Sequence, residues 1–159
     1  ATVIGTAGSA EKVALARAHG CDHPIDYSRE DFAARVKEIT GGRGVDKVFD
    51  GIGKATFEGS FDSLAPMGHL VSFGQASGPV EPIAIAMLGQ KSATLTRPSL
   101  FHYSAKREDL LAMAGNLMDV VAKGVVRIEV EQTYPLADAA QAHRDLEARK
   151  TTGSTVMLV

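Results

Sequence analysis

Tryptophan is absent from this 159-residue chain, cysteine occurs once, as Cys21, and aromatic residues make up only 6%. A single cysteine excludes an internal disulfide and any multi-cysteine zinc site, and it points to a reducing, cytosolic compartment. Charge of one sign is not in excess: 17 Lys and Arg stand against 19 Asp and Glu, a formal net charge of −2. That balance argues against a nucleic-acid footprint and against a polybasic membrane surface. No run of about 18 apolar residues occurs, so no membrane-spanning helix is expected. The N-terminus has no charged head followed by an apolar stretch, so no signal peptide is expected either.

What is present is a chain 45% hydrophobic and 23% charged, with 16 glycines. It is long enough for about one domain with a real core. It opens on Ala1 and enters an apolar strand at once, which reads as a chain cut from something longer. Short β-branched runs at residues 2–6, 23–26, 45–50, 69–73 and 93–96 predict strands. Between them lie helical patterns. Ser9 is placed to cap a helix that Gly20 ends. Ser28-Arg29-Glu30-Asp31 resembles a capping box before Phe32, Val36 and Ile39. Phe57, Phe61 and Leu64 mark a helix that Pro66 and Gly68 should end. Strand–helix alternation with short connections predicts a parallel sheet covered by helices on both faces. The last third differs: a long helix over 106–123, strands at 125–130 and 155–159, and a helix over 138–149. Gly115 weakens the long helix by about 1 kcal/mol, so packing has to hold it.

Ligands of parallel sheets bind beyond the carboxyl ends of the strands. Those ends read Gly5-Thr6-Ala7-Gly8, Asp50-Gly51-Ile52-Gly53 and Phe73-Gly74-Gln75. Glycine admits a ligand close to backbone amides, so three such ends suit a long polar ligand such as a dinucleotide; the plainer reading is that strand-to-helix turns favour glycine. The turn after Ile4 carries no carboxylate to bond a ribose 2′-hydroxyl. Instead Ser9 and Lys12 stand at a helix start that favours an anion, although a lone helix lysine is more often only solvated. Gly51-Ile52-Gly53 is a weak match to a phosphate loop in the wrong place. His19 and His23 are four apart, but Gly20 separates them, so no metal site is predicted. His69, His102 and His143 have no neighbouring nucleophile or carboxylate, and no catalytic residue can be named.

Val3-Ile4-Gly5-Thr6 with Ser9-Ala10-Glu11-Lys12, followed by Gly20-Cys21-Asp22-His23-Pro24-Ile25-Asp26-Tyr27, resembles the medium-chain dehydrogenase/reductase superfamily. Lys37 to Asp46, Val71-Ser72-Phe73-Gly74, Thr96-Arg97-Pro98-Ser99-Leu100 and the ending from Ala142-His143 through Arg149 to Ser154 resemble its quinone oxidoreductase, ζ-crystallin-like branch. The resemblance covers the whole chain. It implies a Rossmann-like parallel sheet that lacks its first strand and glycine-rich loop, with residues 1–100 as a partial dinucleotide-binding domain. Residues 101–159 would be a C-terminal α/β segment that in the family packs on a catalytic domain. It also implies zinc-independent reduction of quinones or related enones by NADPH. Ser9, Lys12 and Tyr27 match the contacts to the 2′-phosphate and adenosine side, and Arg149 matches an arginine for the same phosphate. Gly53 matches a position near the cofactor; Phe73, Gly74, Ser99, Leu100 and Phe101 match the nicotinamide end. A homodimer through residues 93–96 is implied, and a nucleic-acid role is disfavoured by the charge. With the central first strand missing, the isolated chain is expected to bind NADPH below normal affinity, to lack turnover and to expose the edges of its neighbours. An NADPH-binding or interaction module without turnover is the alternative, and an enoyl-reductase module ranks below both.

Overall fold

The computed structural model describes all residues from Ala1 to Val159, which divide into two compact units, Ala1–Ser99 and Leu100–Val159. The first unit runs β1 (Ile4–Ala7), α1 (Ala10–Ala18), β2 (His23–Asp26), α2 (Phe32–Ile39), β3 (Val45–Asp50), α3 (Phe57–Asp62), β4 (Leu64–Ser72), α4 (Ala86–Gly89) and β5 (Thr94–Thr96). All strand pairings are parallel, but they form two sheets: β1 with β2, and β3-β4-β5. No ladder joins β1 to β3, so each keeps an unpaired edge, as the sequence predicts for neighbours of an absent strand. Phe49 in β3 is accordingly 68% exposed.

Ser9 caps α1 by accepting from the Lys12 N–H at 3.3 Å. The cap of α2 is not Ser28 but Asp31, whose Oδ1 accepts from Ala33 N and Ala34 N. A carboxylate at that position takes two first-turn donors at once, and Ser28 is engaged by Asp26 instead. The helix through Phe57 ends at Asp62, earlier than expected, because β4 begins at Leu64 and runs through Pro66 and Gly68. The strand absorbs them by an irregularity: Val45 pairs with Leu64 and Lys47 with His69, and Met67 takes a left-handed φ of 62°. The core is Phe57, Phe61, Leu64 and Leu70, with Val48, Val80, Met87, Leu88, Ala93 and Leu95 against it. Each such side chain contributes about 1.5–3 kcal/mol on burial. The Phe32 ring lies where a Cβ on Gly59 would stand, bringing α2 against α3.

Lys91 closes the end of α3. Its ammonium donates to the carbonyls of Phe61, Asp62 and Leu64 at 2.7–2.9 Å, complementing carbonyls that helix geometry leaves open. Burial, with repulsion from Lys37, draws its pKa down, against attraction from Asp62. Lys91→Met is expected to cost about 1–3 kcal/mol, the scale of charge-assisted bonds lost from partly buried carbonyls, read as a lower urea midpoint; an unchanged midpoint would refute the cap.

The second unit holds α5 (Leu100–Tyr103), α6 (Arg107–Ala122), β6 (Val130–Pro135), a 3₁₀ turn (Leu136–Asp138), α7 (Ala139–Glu147) and β7 (Ser154–Leu158). The strand expected at 125–130 starts where that window ends. Its alternation of apolar residues was misleading, because pairing with β7 is what defines a strand: Thr133 faces Val156 and Tyr134 faces Met157. Gln132 bridges Thr152 O and Thr155 Oγ1, and Tyr134 donates to Asp145. No residue of α6 is buried, so the packing expected to offset Gly115 is not observed.

Candidate functional site

The carboxyl ends of β1 and β2 meet because Ala7 stands in register with Asp26. The Tyr27 N–H donates to Ala7 O at 3.0 Å, and the Tyr27 hydroxyl lies 2.9 Å from the position of a Cβ on Gly8. Ser9 and Lys12 follow directly at the start of α1. The structure therefore brings Gly8, Ser9 and Tyr27 to one strand end. The register also places there a carboxylate that the linear turn does not contain. Asp26 is buried, and its Oδ1 accepts from the Ser28 hydroxyl at 2.5 Å and the Ser28 N–H at 3.0 Å, with Arg29 Nε 3.6 Å from Oδ2. Oδ2 itself is buried without a hydrogen bond. The Ser28 hydroxyl leads the groups that hold this carboxyl below the usual range against burial. Its charge is thus committed within the chain.

The ends of β3 and β4 form the second part. Asp50 closes β3, 4% exposed. Its Oδ1 accepts from Ile52 N at 2.8 Å and Gly53 N at 3.0 Å, and Oδ2 from Thr56 Oγ1 at 2.9 Å and Ser60 Oγ at 2.8 Å. Burial pushes the carboxyl up, but the Gly53 N–H, the Ser60 hydroxyl, the Ile52 N–H and the Thr56 hydroxyl together hold it below the ordinary range. The Asp50 carbonyl accepts from Phe73 N at 2.9 Å and Gly74 N at 3.3 Å. One residue therefore organises both strand ends.

The following loops are knitted by Ser77 N to Ile52 O at 2.8 Å, Lys54 N to Gly78 O at 3.1 Å and Ala55 N to Ser77 Oγ at 2.9 Å. Gly53 has φ 88°, and a Cβ there would lie 2.8 Å from Gly78 O. The Phe73 ring lies against Gly51 yet remains 56% exposed. Arg97 donates to Ser72 O at 3.1 Å, tying the end of β5 to that of β4, and Ser99 follows shortly after.

Leu100 and Phe101 start α5 in the second unit, and Phe101 is 84% exposed. Arg149 lies just beyond α7 with a left-handed φ of 58°. No three His, Cys, Asp or Glu side chains come together as a metal-binding group. The sequence reading missed Asp50, Thr56 and Ser60 as the framework of the site. The available signal was Asp50-Gly51, since Asp bonds backbone amides two and three residues on; the partners at positions 56 and 60 depend on where α3 packs.

Parallel strands with glycine at their carboxyl ends and a capped helix beyond the first define a parallel α/β protein of the class whose ligands are met at the strand ends. The chain belongs to the zinc-binding dehydrogenase family, whose model matches residues 19–157. Within it the similarity is to the C-terminal part of quinone oxidoreductases. The chain is 50% identical to the quinone oxidoreductase of Pseudomonas aeruginosa over 98% of its own length and 48% of the relative's. It is 46% identical to a 2-haloacrylate reductase from a Burkholderia species, over 99% and 48%. The solved structure of Escherichia coli quinone oxidoreductase complexed with NADPH superimposes with a TM-score of 0.92 at 43% identity, covering 98% of this chain and 49% of that one. The chain thus spans about half the length of the curated relatives it matches.

Proposed function

We propose that this chain is the NADPH-binding part of a cytosolic, zinc-independent oxidoreductase that reduces quinones or related enones. The observation that carries this reading is the pair of prepared strand ends, one with Ser9, Lys12 and Tyr27 and the other with Gly53, Phe73 and Gly74. The fit to a dinucleotide is steric and electrostatic. Side chains are missing where backbone would approach a ligand, and the helix start offers a hydroxyl and a cation to a phosphate. The one carboxylate at the end of β2 is already engaged. Ser9, Lys12 and Tyr27 are assigned to the 2′-phosphate and adenosine side; Gly53, Phe73, Gly74 and Ser99 are assigned toward the nicotinamide. Leu100, Phe101 and Arg149 are carried by the second unit, and their assignment rests on the resemblance alone. When bound, the nicotinamide supplies a hydride, and the protein's part is to hold and orient it.

Titration with NADPH and NADH by nicotinamide fluorescence tests the reading, with tighter binding of NADPH expected. Lys12→Ala is expected to weaken NADPH by about 1–3 kcal/mol, the loss of a charge-assisted bond, and to leave NADH nearly unchanged. Equal losses for both would overturn the 2′-phosphate assignment.

β5 pairs only with β4 and presents its other edge. An open β-branched edge supports a homodimer through residues 93–96. Sedimentation at micromolar concentration should give a dimer; a monomer would refute it.

A further inference from the structure

Four helices of the chain end alike, and only one of them does so without glycine. In α1, α2, α6 and α7 the residue after the cap takes a left-handed φ and its N–H bonds the carbonyl three residues back; the next N–H bonds a carbonyl five residues back. The left-handed residue is Gly20, Gly41 and Gly124 in the first three, with φ 90°, 60° and 68°. In α7 it is Arg149, with φ 58°. Left-handed backbone sets a Cβ against the following carbonyl oxygen, a penalty that glycine escapes, and glycine is the usual residue in this cap. A side chain persists there only where its surroundings over-determine the conformation.

We infer that Asp145 is the positioning residue for Arg149: it closes the turn that carries this arginine and holds it in the left-handed cap. Asp145 meets the turn twice. Its carbonyl accepts from Lys150 N at 3.0 Å, and its Oδ1 lies 3.4 Å from Lys150 Nζ. Its Oδ2 accepts from the Tyr134 hydroxyl of β6 at 3.1 Å, which ties the turn to the β6–β7 sheet. The residues in the place of Asp145 at the three glycine caps are Ala16, Lys37 and Val120. None of their side chains can accept a hydrogen bond. The clamp therefore stands where glycine is missing. The inference rests on the cofactor reading above and deepens it, since that reading assigns Arg149 to a phosphate. A guanidinium on a fixed turn loses less freedom on meeting an anion than one on a fraying helix end.

Amide hydrogen exchange, read by NMR at Lys150, tests the clamp without a ligand. Arg149→Gly is expected to exchange about three- to tenfold more slowly there than Arg149→Ala, the reverse of the order inside a helix. Arg149→Ala exchanging as slowly as Arg149→Gly overturns the strain and the inference with it. Asp145→Ala should speed exchange about tenfold when Arg149 is present, and by about twofold or less in the Arg149→Gly background. An equal effect in both backgrounds overturns the inference, because Asp145 would then support the sheet and not the cap. Tyr134→Phe removes one hydroxyl and keeps the ring; it should act in the same direction and replaces Asp145→Ala if that variant does not fold. Titrations with NADPH and NADH then separate positioning from mere support. Asp145→Ala and Arg149→Gly should each weaken NADPH about three- to tenfold and NADH by less than about twofold. Loss in Arg149→Gly alone, or a parallel loss of both cofactors in Asp145→Ala, overturns the positioning role and leaves the cofactor reading standing. No loss in Arg149→Gly overturns the assignment of Arg149 to a phosphate, and the positioning role with it.

Discussion

Gly74→Ala is expected to loosen the β3–β4 end of the molecule and to remove most cofactor affinity. A Cβ at position 74 would lie 2.4 Å from Gly51 O, 2.8 Å from Gly51 Cα and 2.9 Å from Gly51 C. All three are backbone atoms, so no rotamer change relieves the clash. Strand ends must part, and the bonds from Ser77 to Ile52 and from Lys54 to Gly78 lengthen with them. Overpacking of this kind costs about 1–3 kcal/mol or more, and it falls on the segment that carries Gly53 and Phe73. The measurement is a urea midpoint together with an NADPH titration, and both should fall. Gly115→Ala is the internal reference, since nothing lies within 4 Å of a Cβ there. It should stabilise α6 by about 0.5–1 kcal/mol. A Gly74→Ala as stable as the wild type would show that these loops do not need their close approach.

Asp50→Ala is expected to be the most destabilising single change at the site. It strips acceptors from two amides and two hydroxyls in a place where water is largely excluded. Unsatisfied buried groups cost about 1–3 kcal/mol each. With some relaxation toward solvent, the sum is about 3–5 kcal/mol. Asp50→Asn should lose much less. The depressed carboxyl also gives a pH dependence whose sign follows directly. The folded pKa lies below the unfolded value of about 3.9, so the stabilisation is present in full above that value and is lost as pH falls through the folded pKa. Stability should therefore drop steeply below about pH 4 in the wild type and less steeply in Asp50→Asn. An acid midpoint that Asp50→Asn leaves unmoved would show that other carboxylates govern it.

Particular elements show how far the sequence could be read. Ser9 as a cap and Gly20 as a helix stop depend on neighbours within a turn, and both stand as expected, Gly20 with φ 90°. β2, β3 and α6 are legible for the same reason, because their residue patterns repeat over their own length. Pro66-Met67-Gly68 was not legible: its local chemistry demands a turn, yet the ladder to β3 carries β4 through it. Residues 125–130 failed in the opposite way, with a strand-like pattern and no ladder pairing until Val130. The strand-end glycines were visible at the site, but Asp50, whose carbonyl meets the end of β4 and whose carboxylate gathers the turn after β3, was not assigned a role.

The sequence by itself determined the order of strands and helices, the parallel α/β class, the family, and the strand ends where a ligand would be met. These follow from periodicity, capping and short motifs, all properties of neighbouring residues. Only the tertiary structure decided that Asp26 stands opposite Ala7, that Lys91 closes α3, and that Asp50 gathers four donors. Each of these joins residues by register or by packing across the chain, and a hydrogen bond formed that way depends on distances that no local pattern fixes.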